Sequence, residues 1–235
     1  MKIGLWNIDH PVAYPDSERS SRRFQEIKAY LLRQQCDLAI ITEANAALQM
    51  QGYSACFSQE SPFASKKRPA HPPNRYHQVG IYSSIPLKPH HIVEPINGLL
   101  CQAALKTGSL FIYGNVITIK DRIYNVTTKK YNDRFEEQLQ AIAKLVGRRF
   151  IVAGDFNLKL GWTAKKNYHQ RLSQFVDAHG LVWPTRSRTD TVQHVIHSAD
   201  LNTQITLDAS VKHGEKKSLS DHPFLCIEIE TLPVQ

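Results

Sequence analysis

At 235 residues the chain has the length of one large α/β domain with a sizeable buried core, so we predict a single domain over residues 1–235. A net charge of +8, from 29 Lys and Arg against 21 Asp and Glu, favours a polyanionic partner. Nucleic acid is the first candidate and an anionic membrane surface the second. The bland alternative is an excess charge that only keeps the protein soluble.

The composition also argues against other classes of protein. The four cysteines are scattered, with no Cys-x-x-Cys pair and no paired His spacing, which argues against a zinc site and predicts reduced thiols. No segment approaches ~20 apolar residues, and the start lacks the apolar stretch of a signal peptide. We therefore expect a cytoplasmic protein without stable membrane association. We also expect a monomer.

Apolar periodicity predicts both strands and helices. In chain order we predict a strand at 2–6, a helix at 17–35, strands at 38–42, 79–85, 110–118 and 122–128, a helix at 133–146, a strand at 150–153, a helix at 168–179, and strands at 192–197 and 223–229. Helices alternate with strands early, and consecutive strands occur in the middle and at the end. This order favours mixed sheets covered by helices.

One stretch, residues 61–77, is irregular. Its four prolines prevent regular structure, and its positive charge comes from Lys66, Lys67, Arg68 and Arg75. We predict an exposed loop that contacts nucleic-acid phosphates. A solvated connection with no partner is an alternative of equal weight.

Polar residues stand where apolar strands end. Gly154-Asp155-Phe156-Asn157 directly follows the run 150–153, which places a carboxylate and an amide at the end of a buried strand. Such a pair suits one group that removes a proton and one that orients the nucleophile, although a simple turn capped by Asn157 is the alternative. Three more groups follow the same rule: Asn7 and Asp9 after the strand at 2–6, Glu43 after 38–42, and Ser220-Asp221-His222 before 223–229.

The order of these motifs resembles a known family. Trp-Asn-x-Asp at 6–9, Ile-Thr-Glu at 41–43, Gly-Asp-Phe-Asn at 154–157 and Ser-Asp-His at 220–222 are similar to the motifs of the endonuclease/exonuclease/phosphatase superfamily. The resemblance extends from Ile3 to about Ile229. It implies a DNase I-like, four-layer α/β sandwich with two packed mixed β-sheets flanked by helices.

The resemblance also implies a metal site. A bare carboxylate at the end of a buried strand, such as Glu43, is costly without a cation or strong donors nearby, and Mg²⁺ takes hard oxygen ligands. Similarity to the family makes Glu43 the principal Mg²⁺ ligand, with Mn²⁺ as the alternative ion. Asp9 and Asp221 would assist directly or through water. A helix cap or a surface salt bridge is the other interpretation of Glu43.

The remaining roles follow from the same resemblance. Asp155 is similar to the general base that takes a proton from the attacking water, and Asn157 would orient that water or stabilise the transition state. Asn7 matches a phosphate-contacting Asn. His222 resembles the His that donates a hydrogen bond or a proton to the scissile phosphate.

Two positions depart from the family pattern. Gln193 stands where the family usually has an Asp that pairs with the catalytic His, so we expect His222 to lack a carboxylate partner unless Asp190 or Asp200 supplies one. The strand around Tyr113 lacks the common Asn-x-His, and its nearest polar substitutes are Asn115 and Thr118. Tyr113 is an alternative phosphate contact.

The leading prediction is a divalent-metal-dependent phosphodiesterase. The basic net charge and the basic loop favour a nuclease within that class. The first alternative is a phosphatase or phosphodiesterase acting on a small or lipid phosphate. The second is a nucleic-acid-binding protein of this fold with weak or no turnover. The choice between DNA and RNA, and between endo- and exonucleolytic action, stays open.

Overall fold

The computed structural model describes residues 1–11, 18–61, 75–92, 95–117, 131–212 and 219–231. Its elements in chain order are β1 (Lys2–Asn7), α1 (Glu18–Gln34), β2 (Leu38–Asn45), β3 (Ser54–Phe57), β4 (Tyr76–Ser83), β5 (Leu87–His90), β6 (Gly98–Leu105), β7 (Gly108–Val116), α2 (Tyr131–Ala143), β8 (Phe150–Asp155), α3 (Lys166–Ala178), β9 (Gln193–His197), β10 (Leu201–Asp208) and β11 (Phe224–Thr231). Short 3₁₀ turns lie at Thr163–Lys165 and Ser210–Lys212.

The strands form two mixed sheets. The first has the order β10-β11-β1-β2-β4-β3, and the second has the order β5-β6-β7-β8-β9. β1 and β2 run parallel and are joined through α1, and β7 and β8 run parallel on either side of α2 in the chain; the other neighbouring pairs are antiparallel. The prediction of two packed mixed sheets is confirmed.

Side chains alternate across β1 with a period of two, as a strand between two layers requires. Ile3 and Leu5 are fully buried in the core between the sheets, whereas Trp6 packs on the other face beside Phe24 and Ile27 of α1. Each such buried side chain contributes about 1.5–3 kcal/mol of hydrophobic stabilisation. The first sheet therefore has α1 as its outer layer.

The second sheet is built the same way. Ile151 and Ala153 of β8 face the core between the sheets, while Phe150 and Val152 pack with apolar residues of α2 and α3. These helices form the fourth layer, outside the second sheet. The alternation places Asp155, which ends β8, on the inner face with Ile151 and Ala153.

Some predicted boundaries move. The helix predicted at 133–146 is α2, which ends at Ala143 and continues in tight turns to Gly147 (φ 84°). The strand predicted at 79–85 begins at Tyr76, so Tyr76 and His77 do not belong to the irregular stretch: His77 pairs with Ala44 and is buried. The strand predicted at 122–128 lies outside the described residues. Four strands were not predicted: β3, β5, β6 and β10.

Two further observations concern the chain as a whole. The four cysteines are free thiols; Cys36 and Cys101 are buried, and Cys56 and Cys226 are half-buried. Among the described helices, none combines the length and the apolarity needed to cross a bilayer.

Candidate active site

The polar strand ends meet at one edge of the sandwich. Asn7 ends β1 on the inner face of the first sheet, and Asp155 ends β8 on the inner face of the second. The Asn7 Nδ2 donates to Asp155 Oδ2 at 2.8 Å and lies 3.1 Å from Glu43 Oε1. One amide therefore links a carboxylate of each sheet, and all three side chains belong to one site.

The backbone around the site is unusual. Left-handed φ values cost a non-glycine residue roughly 1–3 kcal/mol and persist where surrounding contacts hold them. Five non-glycine residues of the described chain have positive φ, and four of them lie here: Asp9 (49°), His10 (38°), Glu43 (52°) and Asn157 (49°). Two of these residues donate a backbone hydrogen bond to a candidate catalytic side chain. Asp9 N donates to Asn7 Oδ1 at 2.9 Å, and Asn157 N donates to Asp155 Oδ1 at 2.8 Å.

Asp155 has the environment of a base. Its side chain is 1% exposed, and burial raises the pKa of Asp155, while the positive charge of His222 and the hydrogen bonds from Asn7 and Asn157 oppose that rise. A raised pKa makes a carboxylate a stronger proton acceptor than an exposed one. The geometry and the electrostatics of Asp155 therefore suit proton abstraction.

His222 lies opposite Asp155. Its Nε2 is 4.0 Å from Asp155 Oδ2 and 3.4 Å from Asp221 Oδ1, and its side chain is 17% exposed. The turn before it is fixed, because Ser220 Oγ donates to the Asn7 carbonyl at 2.5 Å and accepts from His222 N at 3.0 Å. The expectation that His222 lacks a carboxylate neighbour is therefore wrong: Asp221, the adjacent residue, supplies one.

Gln193 has a different role from the Asp it replaces. It faces Asp155 in the β8–β9 register and is fully buried. With its amide oriented to satisfy both neighbours, it donates to the Pro223 carbonyl at 2.8 Å and accepts from Asn7 N at 3.2 Å. Gln193 thus ties the segment that carries His222 to the end of β1.

The two carboxylates proposed as substitutes lie elsewhere. Asp190 pairs with Arg188 at 3.1 Å on the surface. Asp200 pairs with Arg149 at 2.6 Å, beyond the end of β9 that is opposite Gln193. Neither Asp190 nor Asp200 supplies a carboxylate to His222.

The candidate metal ligands differ in exposure. Glu43 and Asp9 are half-buried, whereas the side chain of Asp221 is 81% exposed and faces His222. Within the described residues, no three His, Cys, Asp or Glu side chains converge as a metal cluster. The donor set is nevertheless of hard oxygen, and Mg²⁺ typically uses only one or two protein carboxylates besides water and substrate phosphate. Glu43, at the centre of the site, fits that kind of ligation.

Asn157 sits in the turn that follows Asp155. Its side-chain Nδ2 donates to the Ile117 carbonyl at 3.0 Å, so the amide is held in one orientation. Its own carbonyl accepts a hydrogen bond from Lys165 Nζ. The predicted pair of Asp155 and Asn157 is therefore assembled in one turn, with a lysine beside it.

Lys165 and Tyr131 were missed by the sequence analysis. Tyr131 donates its hydroxyl to the Phe156 carbonyl at 2.8 Å, and Lys165 Nζ lies 4.0 Å from the centre of the Tyr131 ring. Burial lowers the pKa of Lys165 to about 8, and the negative charge of Asp155 opposes that shift. No sequence motif identifies either residue. The only signal for Tyr131 is that the predicted helix corresponding to α2 begins close to it.

A buried histidine, His194, contacts the chain directly after Asn157. His194 is fully buried, and its Nε2 lies 2.7 Å from the Leu158 carbonyl. Its Nδ1 lies 3.3 Å from Trp183 Nε1 and 3.1 Å from Thr185 Oγ1. Because the indole N–H can only donate, Nδ1 accepts and Nε2 carries the proton. Burial lowers the pKa of His194 to about 4, so the ring is neutral near pH 7.

Two further predicted residues lie on β7, Tyr113 beside Val152 and Asn115 beside Gly154 in the β7–β8 register. Tyr113 points toward α2 and donates to Gln138 Oε1 at 2.7 Å, so it does not serve as a phosphate contact. Asn115 is buried beside Gly154, where a Cβ would lie 2.1 Å from the Asn115 carbonyl, and its amide has no hydrogen-bond partner among the described residues.

The predicted loop residues are described only in part. Arg75 forms an exposed ion pair with Glu60 at 2.9 Å. Lys66, Lys67, Arg68 and Thr118 lie outside the described residues.

The fold and the site define a class of protein. The sequence matches the Endonuclease/Exonuclease/phosphatase family over residues 4–222, nearly its whole length, and the chain belongs to that family. Members of the family are hydrolases that act on phosphoester bonds. Among curated protein sequences, none matches the chain at a significant level.

Solved structures agree with this assignment. The endonuclease domain of TRAS1, a telomere-specific non-LTR retrotransposon, shares 14% identity and a TM-score of 0.64, with 98% of each chain covered. The 3′-5′ exonuclease NExo from Neisseria meningitidis shares 15% identity and a TM-score of 0.63, covering 98% of this chain and 100% of its own. The human Nocturnin catalytic domain shares 14% identity and a TM-score of 0.67, covering 99% and 93%. These similarities establish the DNase I-like fold.

Proposed function

We propose that the protein is a divalent-metal-dependent phosphodiesterase that hydrolyses nucleic acid. The observation that carries the proposal is the Asn7 amide, which lies 2.8 Å from Asp155 and 3.1 Å from Glu43 with His222 close by. Hydrolysis of a phosphodiester needs a base for water, donors for the phosphate and compensation of negative charge. These residues offer the first two, and Glu43 offers a place for the third.

Each side chain has a separate task in this proposal. Asp155 takes the proton from the attacking water, and Asn157 holds the turn that aims its carboxylate. Asn7 keeps Asp155 and Glu43 at a fixed separation, because its two amide protons are donated to these two carboxylates. His222 donates to a phosphate oxygen from the opposite side of the site, and its Nε2 lies 3.4 Å from Asp221 Oδ1.

Glu43 would be the principal ligand of Mg²⁺ or Mn²⁺, and Asp9 and Asp221 would assist directly or through water. The bound ion supplies neutralisation of the charge that builds on the phosphate. Glu43 suits this role because it adjoins Asn7 and Asp155 in a site of low exposure.

Nucleic acid is the favoured substrate for two reasons. The net charge of +8 attracts a polyanion. In addition, similar structures are described as an endonuclease domain, a 3′-5′ exonuclease and a 3′ phosphatase bound to product DNA hairpin. Hydrolysis of a small or lipid phosphate is the second candidate, and nucleic-acid binding without turnover is the third.

A substrate panel tests the proposal. Plasmid, oligonucleotides, a chromogenic phosphodiester and phosphoinositides are incubated with Mg²⁺, with Mn²⁺ or with EDTA. We expect metal-dependent cleavage of nucleic acid, and a loss of at least ~100-fold in kcat for Asp155→Asn, as for removal of a general base. Glu43→Gln should abolish both activity and the rise in Tm on adding metal.

Matched variants show whether these effects are local. Glu136→Gln and Asp177→Asn remove surface carboxylates that pair with Arg171 and Arg186, and both should keep wild-type activity. Circular dichroism checks that all four variants are folded. Full activity of Glu43→Gln in EDTA would refute the assignment, and phosphoinositide turnover without nucleic-acid cleavage would favour the second candidate.

A further inference from the structure

An aromatic and cationic corner adjoins the catalytic turn. It consists of Tyr131, Trp162 and Lys165. Lys165 Nζ lies 4.0 Å from the centre of the Tyr131 ring and 5.4 Å from that of Trp162, and it donates to the Asn157 carbonyl. Because Asn157 N is itself bonded to Asp155 Oδ1 at 2.8 Å, a short series of contacts joins this corner to the proposed base.

Trp162 differs from the other tryptophans of the chain. Trp6 is fully buried and Trp183 is 6% exposed, whereas Trp162 is 40% exposed. A single exposed apolar side chain is ordinary on a protein surface. Trp162 is of interest because its exposed ring lies next to the catalytic turn and beside the Lys165 ammonium, where it could contact a bound ligand.

The backbone that carries the indole is ordered before any ligand binds. Trp162 N donates to the Lys159 carbonyl at 3.2 Å, and Lys165 N donates to the Trp162 carbonyl at 3.0 Å. Gly161 has a φ of 91°, a conformation that favours glycine, and it allows the chain to turn into the 3₁₀ segment Thr163–Lys165. An aromatic ring on an ordered backbone binds a planar group with a smaller loss of entropy than one on a mobile segment.

We propose that this corner is a nucleotide subsite, in which Trp162 stacks on a nucleobase next to the scissile phosphate and Lys165 contacts a neighbouring backbone phosphate. Lys165 lies over one face of the indole, so the base stacks on the other. Every nucleobase presents a π face, and a nearby ammonium adds backbone attraction without selecting sequence. The proposal rests on the proposed function and adds a preference for unpaired bases at this position.

Fluorescence tests the subsite without catalysis. In EDTA, the protein is titrated with an oligothymidylate of about 12 nucleotides and with an abasic strand of the same length and charge. Trp6 and Trp183 are buried, so acrylamide quenching reports mainly on Trp162. We expect the oligothymidylate, but not the abasic strand, to shield this fluorescence, and we expect Trp162→Phe to remove the component that acrylamide reaches.

Affinity gives the second readout. Trp162→Ala should raise the Kd for the oligothymidylate by about 5- to 150-fold, the range for loss of one stacked base, and leave the Kd for the abasic strand unchanged. Trp162→Phe should retain part of the affinity. Val182→Ala removes a side chain of similar exposure (39%) near the opposite end of β9, and it should behave as wild type.

Each outcome separates the subsite from the proposed function. Equal effects of Trp162→Ala on both strands, no effect on either, or no binding of either strand would overturn the subsite. Metal-dependent cleavage with an unchanged KM in Trp162→Ala would overturn it while leaving the proposed function intact. Base-dependent shielding in a protein that cleaves no nucleic acid would support the subsite and overturn the nuclease assignment.

Discussion

We expect the buried ring of His194 to make the protein less stable at acidic pH, and we expect the substitution His194→Gln to remove this contribution. Its ring is fully buried, bonded to Leu158 through Nε2 and to Trp183 through Nδ1. Burial lowers the pKa of His194 from 6.5 to about 4. The folded protein therefore binds this proton less tightly than the unfolded chain, and protonation favours unfolding.

The sign and the size of the effect follow from linkage. The contribution of His194 is fully present above pH 6.5 and is lost as the pH falls from 6.5 through about 4. Each pKa unit corresponds to about 1.4 kcal/mol, so the whole loss is about 3 kcal/mol. His77 and His197 also have pKa values lowered by burial and add to the slope, while the raised pKa of Asp155 acts in the opposite direction.

His194→Gln separates this contribution from the others. A glutamine can still donate to the Leu158 carbonyl but does not titrate, and it removes the acceptor that His194 Nδ1 offers to Trp183 and Thr185. We expect the variant to be about 1–3 kcal/mol less stable than wild type at pH 7.5, and to lose about 3 kcal/mol less than wild type between pH 7 and pH 4.

Urea denaturation at a series of pH values measures both quantities, because the other titrating groups are common to the two proteins. His179→Gln, at the exposed end of α3, is the matched control and should follow the wild-type curve. Parallel curves for wild type and His194→Gln would refute the reasoning, because they would show that His194 is protonated as easily in the folded protein as in the unfolded chain.

The other predictions concern Gln193 and the basic loop. Gln193→Asp should lower stability by about 1–3 kcal/mol without extending the alkaline limb of the pH–rate profile, because aspartate cannot donate to the Pro223 carbonyl and adds a charge beside buried Asp155. Higher turnover near neutral pH would instead place residue 193 against His222. Replacing Lys66, Lys67 and Arg68 by Ala should flatten the salt dependence of duplex binding by up to ~0.9 log unit per lost phosphate contact, with Arg171→Ala as control. An unchanged slope would show that the loop lies off the substrate path.

The strands that the sequence predicts well are those buried between two layers. Such strands read as continuous apolar runs, as β2 and β8 do. The missed strands have weaker patterns, because their faces are partly exposed: β3 and β5 have no fully buried residue, and β10 alternates with polar residues. In β10 the signal was present, since Leu201, Ile205 and Leu207 share one face.

The site was predictable only where a motif marks a strand end. Asn7, Glu43, Asp155 and His222 carry such motifs, and the structure brings them together. Lys165 and Tyr131 reach the site through side-chain length and helix placement, which no local pattern encodes. The left-handed φ values of Asp9 and Glu43 could not be predicted from the sequence either, because neither residue type requires such a conformation.

The position of the Asn7–Asp155 hydrogen bond couples the packing of the core to the chemistry. Each partner belongs to a different sheet, and among the described residues no backbone ladder joins the two sheets. Their separation is therefore set by side chains packed between them. At Gly114 of β7, for example, a Cβ would lie 2.6 Å from Val79 Cγ1 of the first sheet. Since a misplacement of about 1 Å can cost ~100-fold in rate, the close packing of the inner faces is part of what holds Asp155 within reach of Asn7 and His222.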